Sequence, residues 1–297
     1  MNMFVWYCLY ILTIMLSTSM SNWISMWTML ELSTWLMTII SMKTNYMYDL
    51  TFKLYLLLSL SSMLLIMLWL CMNFKQEWLI FMIAFKLGIP PLHWWMLWTM
   101  KHMKWNTMWW FTTFHKLIPM IISMMIMNSL LMFWWCCLSV IWSSLSFWNS
   151  SSMLIIMFYS SCIHTSWLWM TIIDLFSFLT YFAIYAITMF MVFSKMNYLM
   201  FWWKSIDFTT SIIILLGVPT SSMFFAKMIT LSTYFSQTIL LCWIILLINI
   251  MSIFPYTRMI WNSIMNNMYT SFKYQQPYNK IYSLTISMLF MSWPVLL

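Results

Sequence analysis

Only five acidic and thirteen basic side chains are spread over 297 residues, 6% of the chain. A soluble domain carries about 25% charged residues, and so few charges cannot clothe a globule of this size in water. Disorder is excluded by the same numbers, because it needs low hydrophobicity and high charge, whereas 64% of these residues are hydrophobic. The fold class that remains is an all-α polytopic membrane protein. At roughly 20 apolar residues per span with short turns between, the length accommodates about ten or eleven transmembrane helices.

The apolar runs place eleven spans at about 3–20, 22–42, 50–72, 77–99, 107–127, 129–147, 151–170, 172–194, 206–232, 236–257 and 280–297. Lys43, Lys53, Lys101, Lys104, Lys195, Lys204, Arg258, Lys273 and Lys280 then fall in or beside the even-numbered loops. The odd-numbered loops hold Lys75, offset by Glu77. That asymmetry follows the positive-inside rule and supports the count, since one missed helix would scramble it. It puts the N-terminus on the positive, matrix-type side and the C-terminus on the opposite side.

The net charge of +8 does not indicate nucleic acid, because the bases are scattered singly. Cys8, Cys71, Cys136, Cys137, Cys162 and Cys242 lie almost entirely in apolar runs with no CxxC pair, so they are expected to be reduced packing residues. The first twenty residues lack a basic n-region and a small-residue cleavage site, which suits a retained first span rather than a signal peptide. Thirty-seven methionines and twenty-three tryptophans exceed what membrane packing demands. A genetic code that spends extra codons on Met and Trp, as animal mitochondrial codes do, would produce that bias.

Three lysines fall inside spans, namely Lys86, Lys116 and Lys227, and so do Glu31, Asp174, His93, His115 and His164. A charge at the bilayer centre costs roughly 2.5–3.5 kcal/mol on insertion scales, so each of these should face protein or water and is a functional candidate. A single histidine can equally be a satisfied interhelical hydrogen bond. The two glycines sharpen the reading. Gly88 stands in Lys86-Leu87-Gly88-Ile89-Pro90-Pro91 and Gly217 in Leu216-Gly217-Val218-Pro219, ten residues before Lys227. Gly-x-Pro frees backbone groups and breaks a helix, which a membrane tolerates only where protein or water satisfies them. The broken spans would be the fourth and the ninth. Five-span repeats necessarily have opposite topology, so this spacing matches an inverted-repeat transporter with its path near the midplane.

Several segments resemble one family. AFKLGIPPLHWWM (84–96) is similar to the Lys-x-Gly-x-x-Pro-x-His-x-Trp motif of the subunit 2 family of NADH dehydrogenase from animal mitochondrial complex I. FHKLIPM (114–120) resembles its Trp-Gln-Lys-x-x-Pro segment, and MSNWISMWTMLELSTWLMTIISM (20–42) its second span with the glutamate in register. YSSCIHTSWLWM (159–170), LLGVPTSSMFFAKM (215–228) and FPYTRMIW (254–261) resemble its Ser-Ser-Ile-x-His, Leu-Gly-Gly-Leu-Pro and Phe-Tyr-x-Arg segments. Order and spacing hold along nearly the whole chain. The departures are SFWNSSSMLIIM (146–157) where the family has a glycine-rich turn, Ser166 for a glycine, and Ser221–Ser222 where the pattern is apolar.

The resemblance implies an antiporter-like fold of eleven helices. These form one membrane domain over 1–297, with five-helix repeats at about 3–127 and 129–257 and a loop and last helix at about 258–297. It implies a proton-translocating membrane-arm subunit of respiratory complex I, in the mitochondrial inner membrane among other membrane-arm subunits, accessory subunits and phospholipids. NAD, FMN, iron–sulfur clusters and ubiquinone would belong to partner subunits. No cofactor is expected in this chain, which has neither a cysteine cluster nor GxGxxG. The expected relay runs from Glu31, paired with Lys86, through Lys116 and His164 to Lys227. Withdrawing the carboxylate would make the ammonium costlier and drive its proton onward, provided water bridges the gaps. A stand-alone cation/proton antiporter of the same fold is the alternative. A purely structural scaffold also remains, and a haem cytochrome is disfavoured because His93, His102, His115 and His164 do not form facing pairs.

Overall fold

The computed structural model describes residues 3–45, 48–71, 76–126, 129–150, 152–197, 206–235 and 239–271. These residues are helical nearly throughout, with no strand among them. In a hydrocarbon surrounding each backbone N–H and C=O must be satisfied within its own segment, which selects helix over an open sheet. The many Ser and Thr residues do not disturb this. Most of their hydroxyls bond back to the preceding turn, as Ser17 Oγ does to Ile14 O (2.6 Å) and Ser123 Oγ to Met120 O (2.6 Å).

In chain order the helices are α1 Met3–Ser19, α2 Trp23–Asn45, α3 Tyr48–Cys71, α4 Gln76–Leu87, α5 Trp94–Met100, α6 Trp105–Thr112, α7 Leu117–Ile126 and α8 Ser129–Trp148. They continue as α9 Met153–Met170, α10 Leu175–Asn197, α11 Ile206–Leu216, α12 Ser222–Phe235 and α13 Ile239–Ser271. Among the described residues, four helical stretches are long and apolar enough to cross a membrane unaided, Tyr48–Leu70, Leu131–Trp148, Met153–Ile173 and Leu175–Met196. Several of the rest are halves of interrupted spans. The 12 residues of α4 rise about 18 Å, short of the roughly 30 Å hydrocarbon thickness, and need α5 to complete the crossing. The protein is a multi-pass membrane protein. Large apolar side chains such as Trp94, Leu175 and Leu247 are more than half exposed and face the lipid.

The span expected at 77–99 is broken between Leu87 and Trp94, and that at 206–232 between Leu216 and Ser222. Both glycines stand at positive φ, Gly88 at 66° and Gly217 at 77°, where a side chain would be strained. The continuous helix expected over 107–127 is corrected. It breaks at Thr113 (φ −110°, ψ −82°), and a 3-10 turn at Phe114–Lys116 precedes α7. No glycine marks that break. Thr113 Oγ1 folds back on Trp109 O (2.6 Å), which also accepts the Thr113 backbone N–H (3.1 Å), so the helix closes on that carbonyl before the chain turns. The span expected to end at 257 continues as α13 to Ser271 with Pro255 inside it, since a proline removes one donor without forbidding the flanking turns. Asp174 is also corrected. It is exposed at the entry to α10 rather than within a span, and its carbonyl receives Phe178 N (2.9 Å). The expected last helix at 280–297, with Lys75, Lys204, Lys273 and Lys280, lies outside the described residues.

The described chain forms two compact units, residues 1–143 with 152–173, and 144–151 with 174–297. In the first, α1, α2, α3 and α4 pack in sequence, each on the next. Lys43 lies over the Trp6 ring (4.4 Å) and Lys53 over Trp98 (5.7 Å). These contacts gather the start of α1, the end of α2, the start of α3 and the end of α5, and hence Lys43, Lys53 and Lys101, at one end of that unit. That agrees with the loop charges. Nearly every residue of α9 from Ile156 to Met170 is buried, so this helix forms the centre of the first unit. In the second unit α10 packs on α11 and α12, and α13 on both. There Tyr256 meets Phe147 edge-on (5.0 Å) and Trp148 stacks on Phe254 (4.7 Å).

Gly88 provides a direct test of the first break. A Cβ there would stand 2.6 Å from Met96 Sδ, at a backbone angle hostile to side chains. Gly88→Ala is expected to cost about 1–3 kcal/mol, read as a lower melting temperature of the solubilised protein. Adding Met96→Ala removes the Sδ contact but keeps the Met96 Cβ at 3.2 Å, so it should relieve only part of the clash, measured against Met96→Ala alone.

Candidate functional site

The first break is closed by side chains from its surroundings. Phe85 O accepts both Gly88 N (3.1 Å) and the indole N–H of Trp95 (3.0 Å), while Ile89 N reaches Ala84 O (3.1 Å). Gly88 O lies 3.9 Å from the Cys162 thiol of α9. The described cysteines are free thiols, as expected of packing residues, and Cys162 adds a weak donor to a carbonyl that the helix cannot serve.

Lys86 is the penultimate residue of α4 and only 3% exposed, and its Nζ has no hydrogen-bond partner. Glu31, half-buried on α2, lies close enough to act on this ammonium through space. Of the pairing expected from the sequence, direct or through one water, no direct contact joins the two groups. One carboxylate oxygen accepts the Ser62 hydroxyl of α3, and the other lies 3.4 Å from Thr34 Oγ1 on its own helix. Ser62 is held in turn by Trp27, whose indole donates to Ser62 O (2.9 Å). The carboxylate is therefore satisfied by α2 and α3, and its hold on Lys86 is purely electrostatic.

The second break positions Lys116. It ends the 3-10 turn, is 4% exposed, and donates from Nζ to Ser161 O on α9 (3.4 Å). Its neighbour His115 is equally buried. The imidazole stacks on Phe111 (centroids 5.3 Å, 15°), its Nδ1 lies 3.0 Å from Tyr10 Oη of α1, and its Nε2 has no partner. Lys86 and Lys116 both act on His115 through space. His164 lies one turn beyond Ser161 on α9 and is 1% exposed.

The first unit thus gathers Glu31, Lys86, Lys116 and His164, with α9 touching both breaks through Ser161 and Cys162. Lys227 belongs to the second unit, on α12, and is 8% exposed. Its Nζ lies 3.4 Å from where a Cβ on Gly217 would stand, so that glycine gives the ammonium room against the broken backbone. Of the groups beside the site, Tyr10 and Ser62 carried no sequence signal beyond being polar in apolar runs.

No protein-family profile matches the chain. It is 27% identical over 185 residues to the NADH-ubiquinone oxidoreductase chain 2 of Artemia franciscana, a match covering 62% of this chain and 60% of that one. Three solved structures share its fold. A chain of respiratory complex I from Thermus thermophilus, solved with bound aureothin, superposes with TM-score 0.74 at 12% identity, covering 92% of this chain and 73% of that one. A chain of an archaeal membrane-bound sulfane sulfur reductase gives 0.76 at 14%, covering 97% and 73%. A chain of the Mrp complex of Dietzia sp. DQ12-45-1b gives 0.68 at 12%, covering 81% and 56%. The family resemblance read from the sequence is therefore matched by sequence similarity to an NADH-ubiquinone oxidoreductase chain 2 and by a fold shared with chains of a respiratory complex I and of a membrane-bound sulfane sulfur reductase.

Proposed function

We propose that this chain is a membrane-arm subunit of a proton-pumping NADH:ubiquinone oxidoreductase in the mitochondrial inner membrane. Its role is to translocate protons while partner subunits carry out the electron chemistry with NAD, FMN, iron–sulfur clusters and ubiquinone. The observation that carries the reading is Lys86, a buried lysine with no hydrogen-bond partner at a helix break, charge-balanced only at a distance by Glu31. An ammonium so placed holds or releases its proton according to the charge of that carboxylate. Lys116 at the next break, His164 on α9 and Lys227 at the break in the second unit continue the relay, with water between them. The proposed topology is eleven spans in two inverted repeats, with the N-terminus on the matrix side, the C-terminus on the intermembrane-space side, and neighbouring antiporter-like and accessory subunits and phospholipids around it.

The test uses the assembled complex in sealed membranes. Glu31→Gln removes the charge while keeping hydrogen bonds to Ser62 and Thr34, and proton transfer per electron is expected to fall about tenfold or more with assembly unchanged. Unaltered pumping would leave Lys86 without its counter-charge and without consequence, against the relay. The rival reading is a stand-alone cation/proton antiporter of the same fold. Particle size after mild solubilisation separates the two, being large and multi-subunit for the first and small for the second.

A further inference from the structure

Two buried histidines, His93 and His115, stand outside the relay just described; His93 Nδ1 lies 3.2 Å from Pro91 O, whereas His115 keeps a ring nitrogen without a partner. Four observations converge on His115. Lys86 from α4 and Lys116 from its own turn both act on it electrostatically. It is 4% exposed, so no bulk water competes for its ring. Its Nδ1 is engaged by Tyr10 Oη of α1 at 3.0 Å, which with the stack on Phe111 fixes the ring plane. Its Nε2 is buried and has no partner. A buried ring nitrogen without a partner is costly unless something transient occupies it.

The tautomer follows from the charges. Two nearby ammonium groups favour a lone pair on the free nitrogen over a hydrogen, so Nδ1 carries the hydrogen and donates it to Tyr10 Oη, and Nε2 is the bare base. The other groups facing this region are Glu31 on α2, whose oxygens are held by Ser62 and Thr34, and Cys162 on α9, which faces Gly88 O.

We propose that His115 is itself a relay residue, passing the proton from Lys86 to Lys116 through Nε2, with Tyr10 as the positioning residue that holds the ring in the receptive tautomer. The step balances. The Lys86 ammonium gives a proton to Nε2 and becomes an amine, the ring becomes imidazolium, and Nε2 then gives that proton to a neutral Lys116, which becomes an ammonium. No electron moves, and Nδ1 keeps its hydrogen throughout. The inference rests on the proton-relay reading of Lys86 and Lys116 and adds a group to it. A glutamine stands at this place in the motif that FHKLIPM resembles, so that side chain fits the turn.

The experiment compares His115→Gln, Tyr10→Phe and Lys116→Met in the assembled complex, measuring proton translocation in sealed membranes across pH, together with the amount of complex on native gels. The expected result is normal assembly of His115→Gln with translocation lowered about tenfold and one ionisation missing from its pH profile. Tyr10→Phe, which leaves the histidine but frees its tautomer, should lower translocation less and keep that ionisation. His115→Gln with wild-type translocation and an unchanged pH profile, beside a disabled Lys116→Met, overturns the role of His115 and leaves the wider relay standing. Wild-type translocation in both His115→Gln and Lys116→Met overturns the wider relay as well. If His115→Gln fails to assemble, His115→Asn and Tyr10→Phe decide. Full pumping with an unshifted profile in whichever assembles counts against the proposal.

Discussion

Lys86→Arg is expected to assemble in normal amount and to lose proton pumping by roughly a hundredfold, the scale of a missing acid–base group. Arginine keeps the positive charge that Glu31 balances across the gap, so the electrostatic reason for the site to hold together survives. What it cannot do is let the proton go, because a guanidinium stays protonated under all biological conditions. Raising the pH should therefore not restore the variant. Proton uptake per electron in sealed membranes, alongside the quantity of assembled complex, separates the two effects. Pumping at the wild-type ratio in Lys86→Arg would mean that no proton passes this position.

Lys227→Met is expected to reduce translocation by about the same factor, since a neutral side chain of similar length leaves the second break without its ionisable group. The companion variant Gly217→Ala makes the argument geometric. Its new Cβ would stand 3.4 Å from Lys227 Nζ, in contact with the ammonium, at a φ of 77° that strains the break without removing either. It should fall between wild type and Lys227→Met in translocation, and should lower the melting temperature, which Lys227→Met should not do. If Gly217→Ala pumps fully while Lys227→Met does not, the position of the ammonium against the break is unimportant and only its charge matters.

How much of this was legible beforehand varied with the kind of residue involved. The breaks at Gly88 and Gly217 could be read because glycine and proline act through the local backbone, whose geometry the sequence states outright. The break at Thr113 could not, because it is made by a threonine hydroxyl folding onto Trp109 O and by the packing of the turn on its neighbours, and threonine is ordinary within helices. The burial of Lys86, Lys116 and Lys227 was likewise legible, since the cost of an ammonium in lipid leaves an interior position as the affordable one. Their partners were not. Complementary charge suggested a Glu31–Lys86 pair, but Ser62 and Thr34 satisfy the carboxylate first.

By itself, then, the sequence determined that the chain lives in a membrane, where two of its helices break, which loops share a face in the first unit, and which lysines cannot face lipid. Each of these depends on composition or on a residue's own backbone. Only the tertiary structure decided that α9 is buried almost throughout from Ile156 to Met170, that its Ser161 and Cys162 meet Lys116 and Gly88, and that His115 engages Tyr10 while its other ring nitrogen has no partner. Those are contacts between helices about 45 to 105 residues apart in the chain. In apolar helices whose faces differ little in hydrophobicity, nothing local says which side turns inward, so the choice falls to how neighbouring helices pack.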